Sequence, residues 1–153
     1  MNRKSATSWA SSPASRARMI GNRGRDTKPE IAVRKQVHKM GLRFFVQRRP
    51  IPTLRRTADL LFPKTKVAVF VDGCFWHGCS IHATSSASNQ NYWTSKIVEN
   101  QIRDVDTTNR LESEGWKVIR IWAHTAPEEA AVMIYDAVQA RKLNYDCARQ
   151  DQS

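Results

Sequence analysis

Ala58 to His82, ADLLFPKTKVAVFVDGCFWHGCSIH, is the stretch around which the chain is organised. Leu60, Leu61 and Phe62 form one apolar run, Pro63-Lys64-Thr65-Lys66 breaks it, and Val67 to Val71 form a second. The second run is mostly β-branched and carries no charge, the pattern of a central strand buried on both faces. Two strands joined by a tight turn bring Asp59 and Asp72 to the open end of one hairpin. Gly73 follows, then Cys74, Phe75, Trp76, His77, Cys79 and His82. Two carboxylates, two thiols, two imidazoles and an aromatic pair in so short a span exceed what packing alone requires.

A chain of 153 residues suggests one domain with a sizeable core. Its net charge of +11 favours a polyanionic partner. No apolar run approaches the ~18 residues that span a bilayer, and no basic amphipathic helix suggests a membrane surface. Three cysteines, two of them close together beside histidines, fit an intracellular metal site better than a disulfide scaffold.

Outward from the hairpin, residues 1–14 read as a flexible basic arm and Ser15 to Ile20 as a short turn of helix ended by Gly21. Thr27-Lys28-Pro29-Glu30 opens the first good helix, with Ile31, Val33, Val37 and Met40 as apolar positions and Gly41 as its stop. Phe44 to Gln47 predicts a strand, followed by an arginine-rich loop from Arg48 to Thr57. Beyond the hairpin, Ala83 to Gln90 is small and polar, a loop. A long helix spans Asn91 to Glu114, with Trp93, Ile97, Val98, Ile102 and Val105 as its expected buried stripe and Lys96, Asn100 and Arg103 on another face. Trp116 to Trp122 predicts a strand with Val118, Ile119 and Ile121 inside. A last helix runs from Thr125-Ala126-Pro127-Glu128 to about Arg141, leaving residues 144–153 as a frayed tail. The order is α-β-β-β-α-β-α around one mixed sheet, an α/β (α+β) class.

Several side chains carry chemistry on residue grounds alone. A carboxylate such as Asp59 at the start of a buried strand is costly unless paired or metal-bound. Asp72 either assists a metal site or ties down the Gly73 turn. His77 can act as general base, since imidazole titrates near neutrality, or as a zinc ligand between Cys74 and Cys79. Glu30 fits a capping box, and Thr125-Ala126-Pro127-Glu128 repeats its T-x-P-E pattern at another helix. Phe75 and Trp76 are either core residues or a wedge that a pinned loop presents to a base stack. Cys147 lies in the tail as a bystander.

Asp59-(x12)-Asp72-Gly73-Cys74-Phe75-Trp76-His77-Gly78-Cys79 resembles the signature of the very short patch repair (Vsr) endonucleases, and the likeness runs from about Met19 to Trp122. The resemblance implies the restriction-endonuclease-like fold over residues 15–143, with a structural zinc site. It implies a DNA nickase that recognises T:G mismatches arising from 5-methylcytosine deamination and cuts 5′ of the mismatched thymine. It makes Asp59 and the backbone carbonyl of Val71 ligands of a catalytic magnesium ion, His77 the base and Glu30 an active-site glutamate. Cys74, Cys79, His82 and His124 become ligands of a structural zinc ion. Phe75, Trp76 and Met19 become intercalating residues, while Lys96, Asn100 and Arg103 meet the phosphate backbone or order water at the metal. The implied partner is double-stranded DNA with a T:G mismatch, met by a cytoplasmic, nucleoid-associated monomer alongside mismatch-repair proteins and a cytosine-5 methyltransferase. The chain departs from the family in having Ala58 where relatives commonly have proline and Asp72 where some have histidine. Two rivals remain: a restriction- or defence-type nuclease on the same fold, and a non-catalytic zinc-stabilised DNA-binding module.

Overall fold

The computed structural model describes residues 26–74, 77–81 and 89–150. The readings placed on the basic arm, the turn at 15–20, Met19, Phe75, Trp76 and His82 lie outside the described residues.

Seven elements follow one another: α1 (Lys28–Lys39), β1 (Phe45–Arg48), β2 (Ala58–Phe62), β3 (Val67–Asp72), α2 (Gln90–Ser113), β4 (Lys117–Trp122) and α3 (Pro127–Gln150). This is the order expected of a restriction-endonuclease-like fold. The sheet runs β1-β2-β3-β4. β2 pairs antiparallel with both β1 and β3, with Leu60 opposite Val69 and Leu61 opposite Ala68. β3 pairs parallel with β4, from Val67 opposite Lys117 to Asp72 opposite Trp122. The parallel pair needs a long crossover, which α2 supplies.

The uncharged β3 run lies between two strands and is buried on both faces. Val67 and Val69 join Leu60, Phe62, Ile119 and Ile121 beneath α1 and α3, which contribute Val33, Val37, Ile134 and Val138. Ala68 and Phe70 face the other way, against Leu61, Leu111 of α2 and Trp116. Alternation along the strands thus makes three layers, helices over a sheet over a helix.

Two expectations from apolar spacing are corrected. In α2, Trp93 is buried as expected, but Val98, Ile102 and Val105 are 45%, 65% and 60% exposed. The inward face includes Asp104, Thr107 and Leu111, because two of its inward contacts are polar: Asp104 meets His77, and Thr107 meets Arg56. Hydrophobic spacing therefore marked a stripe out of phase with the real one. In α1, likewise, Val33 and Val37 are buried while Ile31 and Met40 are partly exposed. α3 also passes the end expected at Arg141 and continues through Asn144 to Gln150, where no glycine or proline stops it.

Candidate functional site

Antiparallel pairing turns the chain back so that Asp59, near the start of β2, and Asp72, at the end of β3, share one end of the sheet. The Val71 N–H donates to Asp59 Oδ2 at 2.7 Å and the Gln47 side-chain amide to Asp59 Oδ1 at 2.6 Å. Gln47 is fixed in turn by the Thr57 hydroxyl, which donates to its Oε1 at 3.2 Å. Burial pushes the Asp59 carboxyl up from 3.8 to about 6, against these two hydrogen bonds, and the negative charges of Glu30 and Asp72 add to the rise. Asp59 thus feels both Glu30 and Asp72, and a cation at Asp59 would relieve the repulsion. Hard oxygen donors of this kind suit magnesium.

His77 stands on the loop after β3. Its N–H donates to the Gly73 carbonyl at 3.2 Å, and its own carbonyl accepts from the Gln101 side chain at 3.3 Å. Gly78 lets the loop lie flat on α2. Its φ is +67°, and a Cβ there would come within 2.6 Å of Gln101 Nε2 and 2.8 Å of Ile97 Cγ2. The imidazole Nδ1 is hydrogen-bonded to Asp104 Oδ2 and lies 3.9 Å from Asp72 Oδ1. A carboxylate on Nδ1 fixes the ring and leaves Nε2 to accept a proton, the arrangement a general base needs.

Asp72 turns to Arg120 of β4, whose Nη1 donates to its two oxygens at 2.9 and 3.0 Å. Burial raises the Asp72 pKa, opposed by Arg120 and His77. Gln47, Asp104 and Arg120 were not singled out by sequence reading. Arg120 carried a signal: a charge amid the apolar residues of a buried strand needs a partner. Asp104 carried a weaker one, its seven-residue spacing from Ile97 on one face of α2.

Glu30 is only 7% exposed. Its Oε2 accepts from the Asp26 N–H and from Arg34 Nη2, both at 3.1 Å, while Thr27 makes no side-chain cap. The reciprocal capping box is therefore not formed. The twin motif behaves differently: Glu128 is exposed and accepts from Gln36 at 3.0 Å. We expect Glu30→Gln to slow the DNA nicking that the resemblance implies at least about tenfold, equivalent to ~1.4 kcal/mol, and Glu128→Gln to leave the rate unchanged. Equal rates for the two variants, both folded by circular dichroism, would return Glu30 to a purely local role.

A second cluster closes the loop. Cys74 Sγ lies 3.1 Å and Cys79 Sγ 3.8 Å from His124 Nδ1, just beyond β4. A tetrahedral zinc ion, with bonds of ~2.3 Å to sulfur and ~2.0–2.1 Å to nitrogen, sets such ligands roughly 3.5 Å apart. The observed distances straddle that value. Burial and the neighbouring Cys79 sulfur push the Cys74 thiol up, a conflict a bound cation would remove. Cys147 is exposed on α3 and takes no part.

Lys96, Asn100 and Arg103 share α2. Lys96 pairs with Glu99 at 3.0 Å, Asn100 is half-buried and Arg103 is exposed. Arg56, from the arginine-rich loop, donates to the Arg103 carbonyl at 2.9 Å and to Asp106 at 2.9 Å, tying that loop to the helix.

The family described as DNA mismatch endonuclease Vsr matches residues 10–83. The Type II nicking enzyme V.NaeI of Lentzea aerocolonigenes is 35% identical over 136 residues, 87% of this chain and 81% of that protein. The Type II nicking enzyme V.NmeDIP of Neisseria meningitidis serogroup C is 40% identical over 108 residues, 69% of this chain and 71% of that protein. The DNA mismatch endonuclease Vsr of Escherichia coli (strain K12) is 31% identical over 100 residues, 64% of this chain and 62% of that protein.

Proposed function

The chain belongs to the DNA mismatch endonuclease Vsr family, and from that premise we propose that it nicks one strand of duplex DNA by general-base hydrolysis at the Asp59–His77 site. The observation that carries the reading is the His77–Asp104 pair, with the buried Asp72 carboxylate 3.9 Å from the same ring nitrogen. Asp104 orients the ring, and His77 Nε2 takes the proton of the attacking water. Asp59, with the Val71 carbonyl, would hold magnesium, and Glu30 supports Asp59 from α1. A magnesium ion bound there polarises the phosphoryl oxygen and stabilises the leaving oxyanion. Cys74, Cys79, His124 and His82 would bind structural zinc, leaving the His77 loop no freedom to drift. The positive charge of +11 supports DNA as the polyanion.

The relatives named nicking enzymes support the broader reading, a strand-cutting nuclease of restriction or defence type on this fold. Within it we place the T:G mismatch as the preferred target, cut 5′ of the thymine. A wobble pair stacks less firmly than a matched one, so a wedge of Phe75 and Trp76, together with Met19 as the resemblance implies, would discriminate by the cost of unstacking. Lys96, Asn100 and Arg103 would meet the backbone without reading sequence.

The test is purified protein, magnesium and end-labelled duplexes that differ only in a T:G or T:A pair. The expected result is a nick 5′ of the mismatched thymine, faster than any cut in the matched duplex by at least about tenfold, or ~1.4 kcal/mol. Equal cutting of both duplexes would overturn the mismatch reading in favour of the broader one. Tight binding with both strands intact would overturn catalysis altogether and leave a binding module.

A further inference from the structure

Asp72, His77 and Asp104 present three ligand atoms within 4.8 Å of one another, a spacing that suits a metal ion. A cation already stands there. Arg120 Nη1 reaches both Asp72 oxygens at 2.9 and 3.0 Å and Asp104 Oδ1 at 3.3 Å. Its Nη2 donates to the Asp104 carbonyl at 3.2 Å and its Nε to the Thr108 hydroxyl at 3.3 Å. The guanidinium carbon lies 4.8 Å from the centre of the Phe70 ring. Every nitrogen of the group is thus engaged, and the fork is held over an aromatic face.

We propose that Arg120 is a resident cation filling the place of a second metal ion between Asp72 and Asp104, so that the chain takes its one catalytic divalent ion at Asp59. The inference rests on the metal role proposed for Asp59. A guanidinium stays charged at every working pH and cannot dissociate. It neutralises the two carboxylates that flank His77 without depending on metal supply. It also removes Asp72 from the ligand set, since both Asp72 oxygens are taken by Arg120 and divalent ions bind guanidinium-paired carboxylates poorly. Among the described residues Asp59 has no such partner: its hydrogen bonds come from an amide and a backbone N–H.

The test counts manganese, a spectroscopic substitute for magnesium that prefers oxygen donors and leaves thiolate sites to zinc. Zinc-loaded full-length protein is titrated with Mn²⁺ and free ion is read by electron paramagnetic resonance. We expect about one ion per chain in the wild type and in Asp72→Asn, and about two in Arg120→Ala, on the oxygen-ligand logic of hard divalent sites. The double variant Asp72→Asn/Arg120→Ala should return to about one. Loss of an ion from Asp72→Asn alone would overturn the proposal, because Asp72 would then be a metal ligand in the wild type. So would a folded Arg120→Ala that gains none. Arg120→Gln, shorter and uncharged but still able to hydrogen-bond, serves if the alanine variant unfolds. Asp59→Asn separates the two readings. If it leaves the count unchanged, the role of Asp59 fails, while the Asp72 and Arg120 variants still decide the place of the guanidinium.

Discussion

Asp59→Asn is expected to yield a protein that binds duplex DNA, nicks none of it, and melts at a higher temperature than the wild type at pH 8. The two effects share one cause. Asparagine keeps the shape of the side chain, and its Oδ1 can still accept from the Val71 N–H. It lacks the charge that would hold a divalent ion, so nicking is lost. It also lacks the charge that burial and the neighbouring Glu30 and Asp72 disfavour. A carboxyl raised from 3.8 to about 6 binds its proton more tightly folded than unfolded, so stability falls as pH rises through that window. Above about pH 6 the full cost applies, about 3 kcal/mol at 1.36 kcal/mol per pKa unit. Below about pH 4 it vanishes, because both states are then protonated. The variant should therefore gain roughly 6–12 °C at pH 8, at ~2–4 °C per kcal/mol, and nothing at pH 3.5. Near-normal nicking would remove Asp59 from the mechanism. A melting difference that ignored pH would show that its buried charge costs nothing.

Removing a zinc ligand should act in the opposite direction. Elemental analysis should find about one zinc per chain, by the four-ligand logic of structural sites. Cys74→Ser, Cys79→Ser and His124→Ala should each release it and lower the melting temperature by on the order of 10 °C, about 3–5 kcal/mol for a chain of this size. Nicking should fall with zinc even though no ligand touches the reacting atoms, because His77 lies between Cys74 and Cys79 on the same short loop. Cys147→Ser should change none of these. A zinc-free protein of unchanged stability would remove the metal from the fold. His77→Ala supplies the counterpart: nicking lost, zinc kept.

The hairpin was legible because it obeys local rules. Two apolar runs broken at Pro63 leave one register that buries both, and that register brings Asp59 and Asp72 together. The Cys74–Cys79 loop was legible because its ligands are neighbours in sequence. Arg120 and Asp104 were harder to place, since a charge within a buried strand says that a partner is needed but not which residue of β3 or α2 supplies it. The face of α2 was misjudged for the same reason: its inward side is partly polar, and a hydrophobic count favoured Ile102 and Val105, which face solvent. Glu30 was ambiguous because T-x-P-E marks a helix start wherever it occurs. Burial and hydrogen-bond partners separate it from Glu128.

The parallel pairing of β3 with β4 has a consequence for how the chain is made. Glu30, Asp59, Asp72, His77, Cys74 and Cys79 precede the connection into α2; Asp104, Arg120 and His124 follow it. On a ribosome the first group emerges with the hairpin already able to close, yet Asp104, which meets the His77 imidazole, and His124, which meets the two thiols, are still to come. The site is armed only when β4 slides in beside β3, the longest-range pairing in the sheet. A chain truncated before β4 lacks Arg120 and His124 and is expected not to nick DNA.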